Sequence, residues 1–203
     1  MAPLLDKDIR DIFVSHYAKR YPKSKLLSEV RINNGLAIAD LVSIGIRSSH
    51  CYEIKSDKDK ISRVLEQSKS YDTVFNKISL ITTFTHYKKA LDIIPPYWGI
   101  IVVNNTPRDK IHYLRKASLS PLFSNQNALF TLWRNELLNI LLMKKIIEKP
   151  KNKSSRSELI NILCTKLSTS EICKLLNSSL INRNYQEIKW FRSNLSISHL
   201  SLT

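Results

Sequence analysis

Glycine is scarce in this chain: three residues in 203, at Gly35, Gly45 and Gly99. Neither G-x-G-x-x-G nor G-x-x-x-x-G-K-[ST] can be built from them, which excludes dinucleotide-binding and P-loop nucleotide sites. Cysteine is equally sparse. Cys51, Cys164 and Cys173 are odd in number and form no C-x-x-C pair, which argues against a disulfide framework or a zinc knuckle. The five histidines are scattered singly, so they read as surface or packing residues rather than metal ligands. No apolar run approaches the ~20 residues a membrane span needs. The opening stretch, MAPLLDKDIRDIF, has acids where a signal peptide carries bases and lacks a long apolar core. These absences predict a soluble, cytoplasmic protein without membrane contact.

Acids are also in deficit. Seventeen Asp and Glu stand against 32 Lys and Arg, for a formal net charge of +15. Such an excess suits a polyanionic partner, because clustered cations neutralise phosphates and release counterions. The apolar fraction of 43% is ample for a packed core.

The spacing predicts a helix over 5–20, with Ile9, Phe13 and Tyr17 on one stripe, Asp6 as cap and Tyr21-Pro22 as its end. LLSEVRIN reads as a half-buried strand, Asn33-Asn34-Gly35 as a hairpin turn, and LAIADLVSIG as a mostly apolar second strand whose one charge is Asp40. SHCYEIKS is a third strand. Residues 58–76 switch to helical period, with Ile61, Val64, Leu65 and Phe75 toward the core. ISLITTF and WGIIVVNN are buried strands around a short helix, HYKKALDII, and KIHYLRKA is an edge strand. The expected fold is an α/β sandwich with a mixed sheet over 1–117 and a helical C-terminal region over 118–203. In that region NALFTLWRNELLNILLMKKIIEK reads as one helix burying Leu129, Leu132, Trp133, Leu137, Ile140 and Leu141. A basic linker over 149–156 carries Lys149, Lys151, Lys153 and Arg156, a candidate phosphate clamp. Ser155-x-x-Glu158 and Ser168-x-x-Glu171 are capping-box spacings that open two further helices. The tail is polar.

The stretch CYEIKSDKDK carries the chemistry. Side chains alternate along a strand, so Glu53 and Lys55 share one face while Ile54 points to the other. A hairpin can set Asp40 beside Glu53. Two adjacent carboxylates repel and raise one pKa unless a cation lies between them. Hard oxygen ligands of this kind suit Mg²⁺ or Mn²⁺. Lys55, on the same face, can orient or deprotonate an attacking water, or neutralise developing charge. Asp57 and Asp59 read as caps of the following helix. Tyr97, Trp98 and Trp133 read as core rather than as base-stacking platforms.

Asp40-x(12)-Glu53-x-Lys55, in a helix–hairpin–strand–helix context, resembles the PD-(D/E)xK nuclease superfamily. The likeness spans roughly residues 25–145 and extends to a group of small bacterial and phage members. Gln67 and Tyr71 form the Q-x-x-x-Y pattern that RecB-type and lambda-exonuclease-like members place after the lysine strand. Ala39 departs from the family's motif, which has proline there. The resemblance implies a restriction-endonuclease-like αβββαβ core with a mixed central sheet, plus a C-terminal helical appendage. It implies a metal-dependent deoxyribonuclease of repair, recombination, phage DNA processing or defence. Asp40 and Glu53 would hold Mg²⁺ or Mn²⁺ with the Ile54 carbonyl, Glu29 would be an additional upstream acid, and Lys55 would assist the water. Gln67, Tyr71 and Arg63 would support the site or the substrate strand. DNA is the expected partner, with RNA second and a homo-oligomer open. The alternative is a catalytically inactive DNA-binding or adaptor protein that keeps the fold.

Overall fold

The computed structural model describes residues 3–106, 110–149 and 153–183, apart from the Gln67 side chain. Lys151 and the polar tail therefore lie outside the described residues.

Helix α1, Asp6–Arg20, buries Ile9, Phe13, Val14 and Tyr17 on one stripe. Burying a side chain the size of Phe13 stabilises the fold by about 1.5–3 kcal/mol. Asp8, not Asp6, serves the first turn: its carboxylate accepts the Leu5 N–H at 2.9 Å. Strands β1, Lys25–Ile32, and β2, Ala37–Ile44, form an antiparallel hairpin. Its turn takes positive φ at Asn33, Asn34 and Gly35 in succession, the conformation that Asn and Gly tolerate best. Strand β3, Ser49–Ile54, is antiparallel to β2. A single 3₁₀ turn, Ile61–Arg63, leads into α2, Val64–Val74. Strand β4, Lys77–Thr82, and β5, Gly99–Val103, then continue the sheet in parallel, with α3, Tyr87–Ile93, between them. Strand β6, Ile111–Arg115, closes it antiparallel to β5.

The result is a six-stranded mixed sheet in the order β1-β2-β3-β4-β5-β6. Strands β4 and β5 are almost wholly buried, as parallel strands covered on both faces are. One face packs α1 against Leu41, Tyr52, Ile54, Ile81 and Ile101. The other carries α2, α3 and the C-terminal helices in one continuous core. Gly99 permits a close approach there, since a Cβ would stand 2.2 Å from Ser79 Oγ. No helix among the described residues is long and apolar enough to cross a membrane.

The C-terminal region differs from expectation in three ways. The single helix over 127–149 is two: α4, Asn125–Leu129, and α5, Arg134–Met143. Glu136 accepts the Trp133 N–H at 2.6 Å and so restarts the helix. The carbonyls of Phe130 and Leu132, which the break leaves without helical donors, accept from Arg156, and that of Thr131 from Arg183 at 2.8 Å. Trp133 is 63% exposed instead of buried. Leu65, on α2, also faces solvent. Third, the helices α6, Arg156–Lys166, and α7, Thr169–Asn182, join the main core instead of standing apart as an appendage. Both open on the expected capping boxes: Ser155 accepts from the Glu158 N–H at 3.2 Å and Ser168 from the Glu171 N–H at 3.4 Å.

Candidate functional site

Three strands set three acids in a row. The β2–β3 ladder runs to Leu41↔Tyr52, and one step further Asp40 stands against Glu53. On the other side, Ser28↔Leu41 and Val30↔Ala39 bracket Glu29 opposite Asp40. Glu29 has φ of 55° inside a strand. That left-handed conformation costs a non-glycine residue about 1–2 kcal/mol, and such strain gathers at functional positions. It also shifts the phase of β1: buried positions run Leu27, then Val30 and Ile32, so simple alternation breaks at Glu29.

Glu53 is 1% exposed. Lys55 Nζ lies 2.5 Å from its Oε1. The Tyr71 hydroxyl lies 2.9 Å from its Oε2 and 2.8 Å from the Ile38 carbonyl oxygen. The Lys55 backbone is fixed on the opposite edge, where its N–H donates to Ile81 O at 2.9 Å and its carbonyl accepts from Thr82 Oγ1 at 2.9 Å. Asp40 Oδ2 accepts the Ile54 N–H at 2.8 Å. A residue's N–H and C=O point to the same side of an extended strand, so the Ile54 carbonyl also faces β2, next to Asp40. Burial and then the neighbouring Glu53 charge push the Asp40 carboxyl up to about 7, against the lowering effect of the Ile54 hydrogen bond and Arg10.

Arg10 joins the row from α1. Its Nη2 reaches Glu29 Oε1 at 3.5 Å and Asp40 Oδ1 at 3.6 Å, while Nη1 donates to the Asp40 carbonyl at 3.1 Å. Its sequence signal is slight: a cation one helical turn after Asp6, with which it also pairs at 3.3 Å. A cavity of 410 Å³, lined in part by Arg10, Ser28 and Glu29, adjoins this end of the row.

Among the described residues no three His, Cys, Asp or Glu side chains gather as a metal-holding group. Glu29 turns to Arg10, which leaves two carboxylates and the Ile54 carbonyl. Mg²⁺ commonly needs no more than one or two carboxylates, the remaining positions going to water and phosphate. Burial first, and then the Glu53 charge, hold the Asp40 acid at about 7, and a cation bound between the two carboxylates would relieve the second of these. Lys55 and Tyr71 occupy both Glu53 oxygens, so the donor set would suit Mg²⁺ or Mn²⁺ with Lys55 displaced from Oε1.

The chain's sequence matches the family model described as bacteriophage P4 protein cII over residues 7–200. It belongs to the bacteriophage P4 protein cII family. Among solved structures, the SPO1766 protein of unknown function from Silicibacter pomeroyi is similar at a TM-score of 0.46 and 10% identity, covering 74% of this chain and 99% of that one. No curated protein matches.

The remaining expected residues of this P4 cII family member divide. Arg63 is exposed at the start of α2, and Gln67 lies in α2 one turn before Tyr71. Lys149 and Lys153 are exposed on the chain's far side of α5 in sequence. The terminal nitrogens of Arg156 are not free for a phosphate, for they are tied to Asn34, Phe130 and Leu132. Asp57 and Asp59 do not cap α2. Asp57 accepts the Leu4 N–H at 2.8 Å and the Thr83 hydroxyl at 2.5 Å, while Asp59 accepts the Ser56 N–H at 2.8 Å. Both thus brace the segment just after Lys55. Trp98 is buried as expected, its indole N–H donating to buried Asp72 at 2.6 Å.

Proposed function

We propose that this chain is a metal-dependent deoxyribonuclease with a restriction-endonuclease-like core. The observation that carries the reading is the juxtaposition of Asp40, Glu53 and Lys55 where the β2–β3 ladder ends, with Lys55 Nζ 2.5 Å from Glu53. A buried ion pair stabilises a fold little more than apolar residues of equal volume, so chemistry explains the pair better than stability does. The antiparallel β1-β2-β3 meander, the helix α2 and the parallel β4 follow the αβββαβ order that the motif resemblance implies. The +15 charge suits a polyphosphate substrate.

Asp40, Glu53 and the Ile54 carbonyl would hold Mg²⁺ or Mn²⁺. Such a cation would polarise the phosphodiester and offset the charge that builds during in-line displacement. Lys55 orients the attacking water and adds positive charge beside the reacting phosphorus. Tyr71 and Arg10 touch the two carboxylates from opposite faces of the sheet and hold them in place. Water adds to phosphorus and gives up a proton to solvent, the P–O bond to the leaving sugar oxygen breaks, and that oxygen takes a proton back from solvent.

A second reading is a non-catalytic DNA-binding protein of the same fold. It is favoured by the protein's own donors, which already meet both oxygens of Glu53. Incubation of linear, nicked, branched and single-stranded DNA, and of RNA, with Mg²⁺ or Mn²⁺ separates the two. Binding without cleavage under either metal supports the second reading and ends the first.

A further inference from the structure

A groove of 950 Å³ lies between the β1–β2 turn and helices α5, α6 and α7, outside the acidic row. Trp133 stands in its wall with the Arg183 guanidinium 4.5 Å from its ring centroid, and the indole is still 63% exposed. Glu136 is the acid of this lining and is paired with Arg183. Three arginines, Arg31, Arg156 and Arg183, thus line the groove against this one acid, whose charge also reaches Arg156. Two buried polar atoms of the lining, Thr131 Oγ1 and Arg156 Nε, have no hydrogen-bond partner. Thr131 itself is 4% exposed. Buried donors and hydroxyls are nearly always satisfied, so both call for polar atoms from outside the chain.

An exposed indole, excess guanidinium charge and unpartnered polar atoms meet the needs of one ligand chemistry. A nucleotide offers an aromatic face and anionic oxygens within one unit, and stacking on an aromatic side chain tolerates any base. We propose that the groove seats a single-stranded nucleic-acid segment, with one base on Trp133 and an adjoining phosphate at Arg31 and Arg156 Nε. Arg31 pairs with Ile38 on β2, two residues from Asp40. A strand held here thus passes beside the acidic row. The inference rests on the nucleic-acid half of the reading above and not on cleavage.

The test is fluorescence anisotropy of a labelled oligothymidylate, in EDTA so that nothing is cut. Wild type is expected to bind with an affinity that falls as salt rises. Trp133→Ala weakens binding about tenfold or more, and Trp133→Phe retains most of it. Arg31→Ala lowers the salt slope by about 0.7. Thr131→Val weakens binding if the hydroxyl meets the ligand. No binding by wild type, an effect of Trp133→Ala under about twofold, unchanged binding by Thr131→Val and Arg31→Ala together, or equal displacement by polyglutamate each overturns the proposal. Should Trp133→Ala not fold, iodide quenching in a Trp190→Phe background replaces it. Protection of Trp133 by the oligonucleotide supports the groove, and no protection sinks it. Cleavage with Mn²⁺ is measured in parallel. Cleavage without Trp133-dependent binding removes the groove alone, while Trp133-dependent binding without cleavage removes the nuclease alone.

Discussion

Tyr71 places its hydroxyl 2.9 Å from Oε2 of Glu53, both residues being fully or almost fully buried. One hydroxyl proton serves two acceptors, since the Ile38 carbonyl lies 2.8 Å away. Helix α2 is thereby pinned to β2 and β3 at the point where the two strands present Asp40 and Glu53. The phenol stays protonated, because burial and then the Glu53 charge push its pKa upward. Tyr71→Phe keeps the ring and removes the shared donor. It is expected to cost about 1–3 kcal/mol, the usual penalty for orphaning buried acceptors, read as a lower urea midpoint with an unchanged m-value.

Lys55→Ala addresses the chemistry instead. Lys55 is expected to act on the water or on developing charge, so its removal lowers cleavage by about a hundred- to ten-thousand-fold and spares DNA binding in EDTA. If Lys55→Ala cuts as fast as wild type, the assignment of this row is wrong, whatever metal is used.

Much of that row is legible in the sequence because strand period is rigid. Glu53 and Lys55, two apart, must share a face, and the short β2–β3 connection leaves little freedom in pairing Asp40 with Glu53. Arg10 is not legible, because nothing in a helix period tells which strand end a surface cation will overhang. The Glu29 kink shows only as a spacing of three between Leu27 and Val30, which an irregular strand or a loop explains equally well. The α4–α5 break is hidden for another reason. Its carbonyls are satisfied by Arg156 and Arg183, 24 and 52 residues away from Leu132 and Thr131 respectively. Local propensity favours a continuous helix, and long-range hydrogen bonds overrule it.

Asp40 predicts a pH dependence of stability. In the folded chain its carboxyl keeps its proton up to about 7, against an ordinary value of 3.8. Between those values the folded state binds more protons than the unfolded state, so Asp40's contribution to stability falls as pH rises through that window and levels off above it. The full loss is on the order of a few kcal/mol. Asp40→Asn removes this slope, seen in urea midpoints collected across the window. Mn²⁺ or Mg²⁺ acts in the opposite sense, because a ligand that needs the ionised carboxylate stabilises most where ionisation is complete. The metal-induced rise in Tm should be larger at about pH 8 than at about pH 6 and vanish in Asp40→Asn. An equal rise in that variant would place the cation elsewhere.

Arg156 belongs to the fold and not to a phosphate clamp through its terminal nitrogens, and this too is testable. It donates to Asn34 on the β1–β2 turn and to the carbonyls of Phe130 and Leu132 at the helix break. Its guanidinium also lies 5.7 Å from the Phe130 ring centroid. Burial lowers its pKa, with the nearby Arg183 charge adding to the effect, so the side chain is held by geometry against an electrostatic cost. Arg156→Ala leaves two carbonyls without donors and frees α6 from the hairpin turn. The expected loss is about 2–4 kcal/mol. Arg156→Lys should recover little of it, since a single ammonium cannot span three acceptors in the fork geometry of a guanidinium. Thermal unfolding of the two variants decides the matter: if the lysine variant melts with wild type, the arginine contributes only charge, and the helix break must be held by something other than these hydrogen bonds.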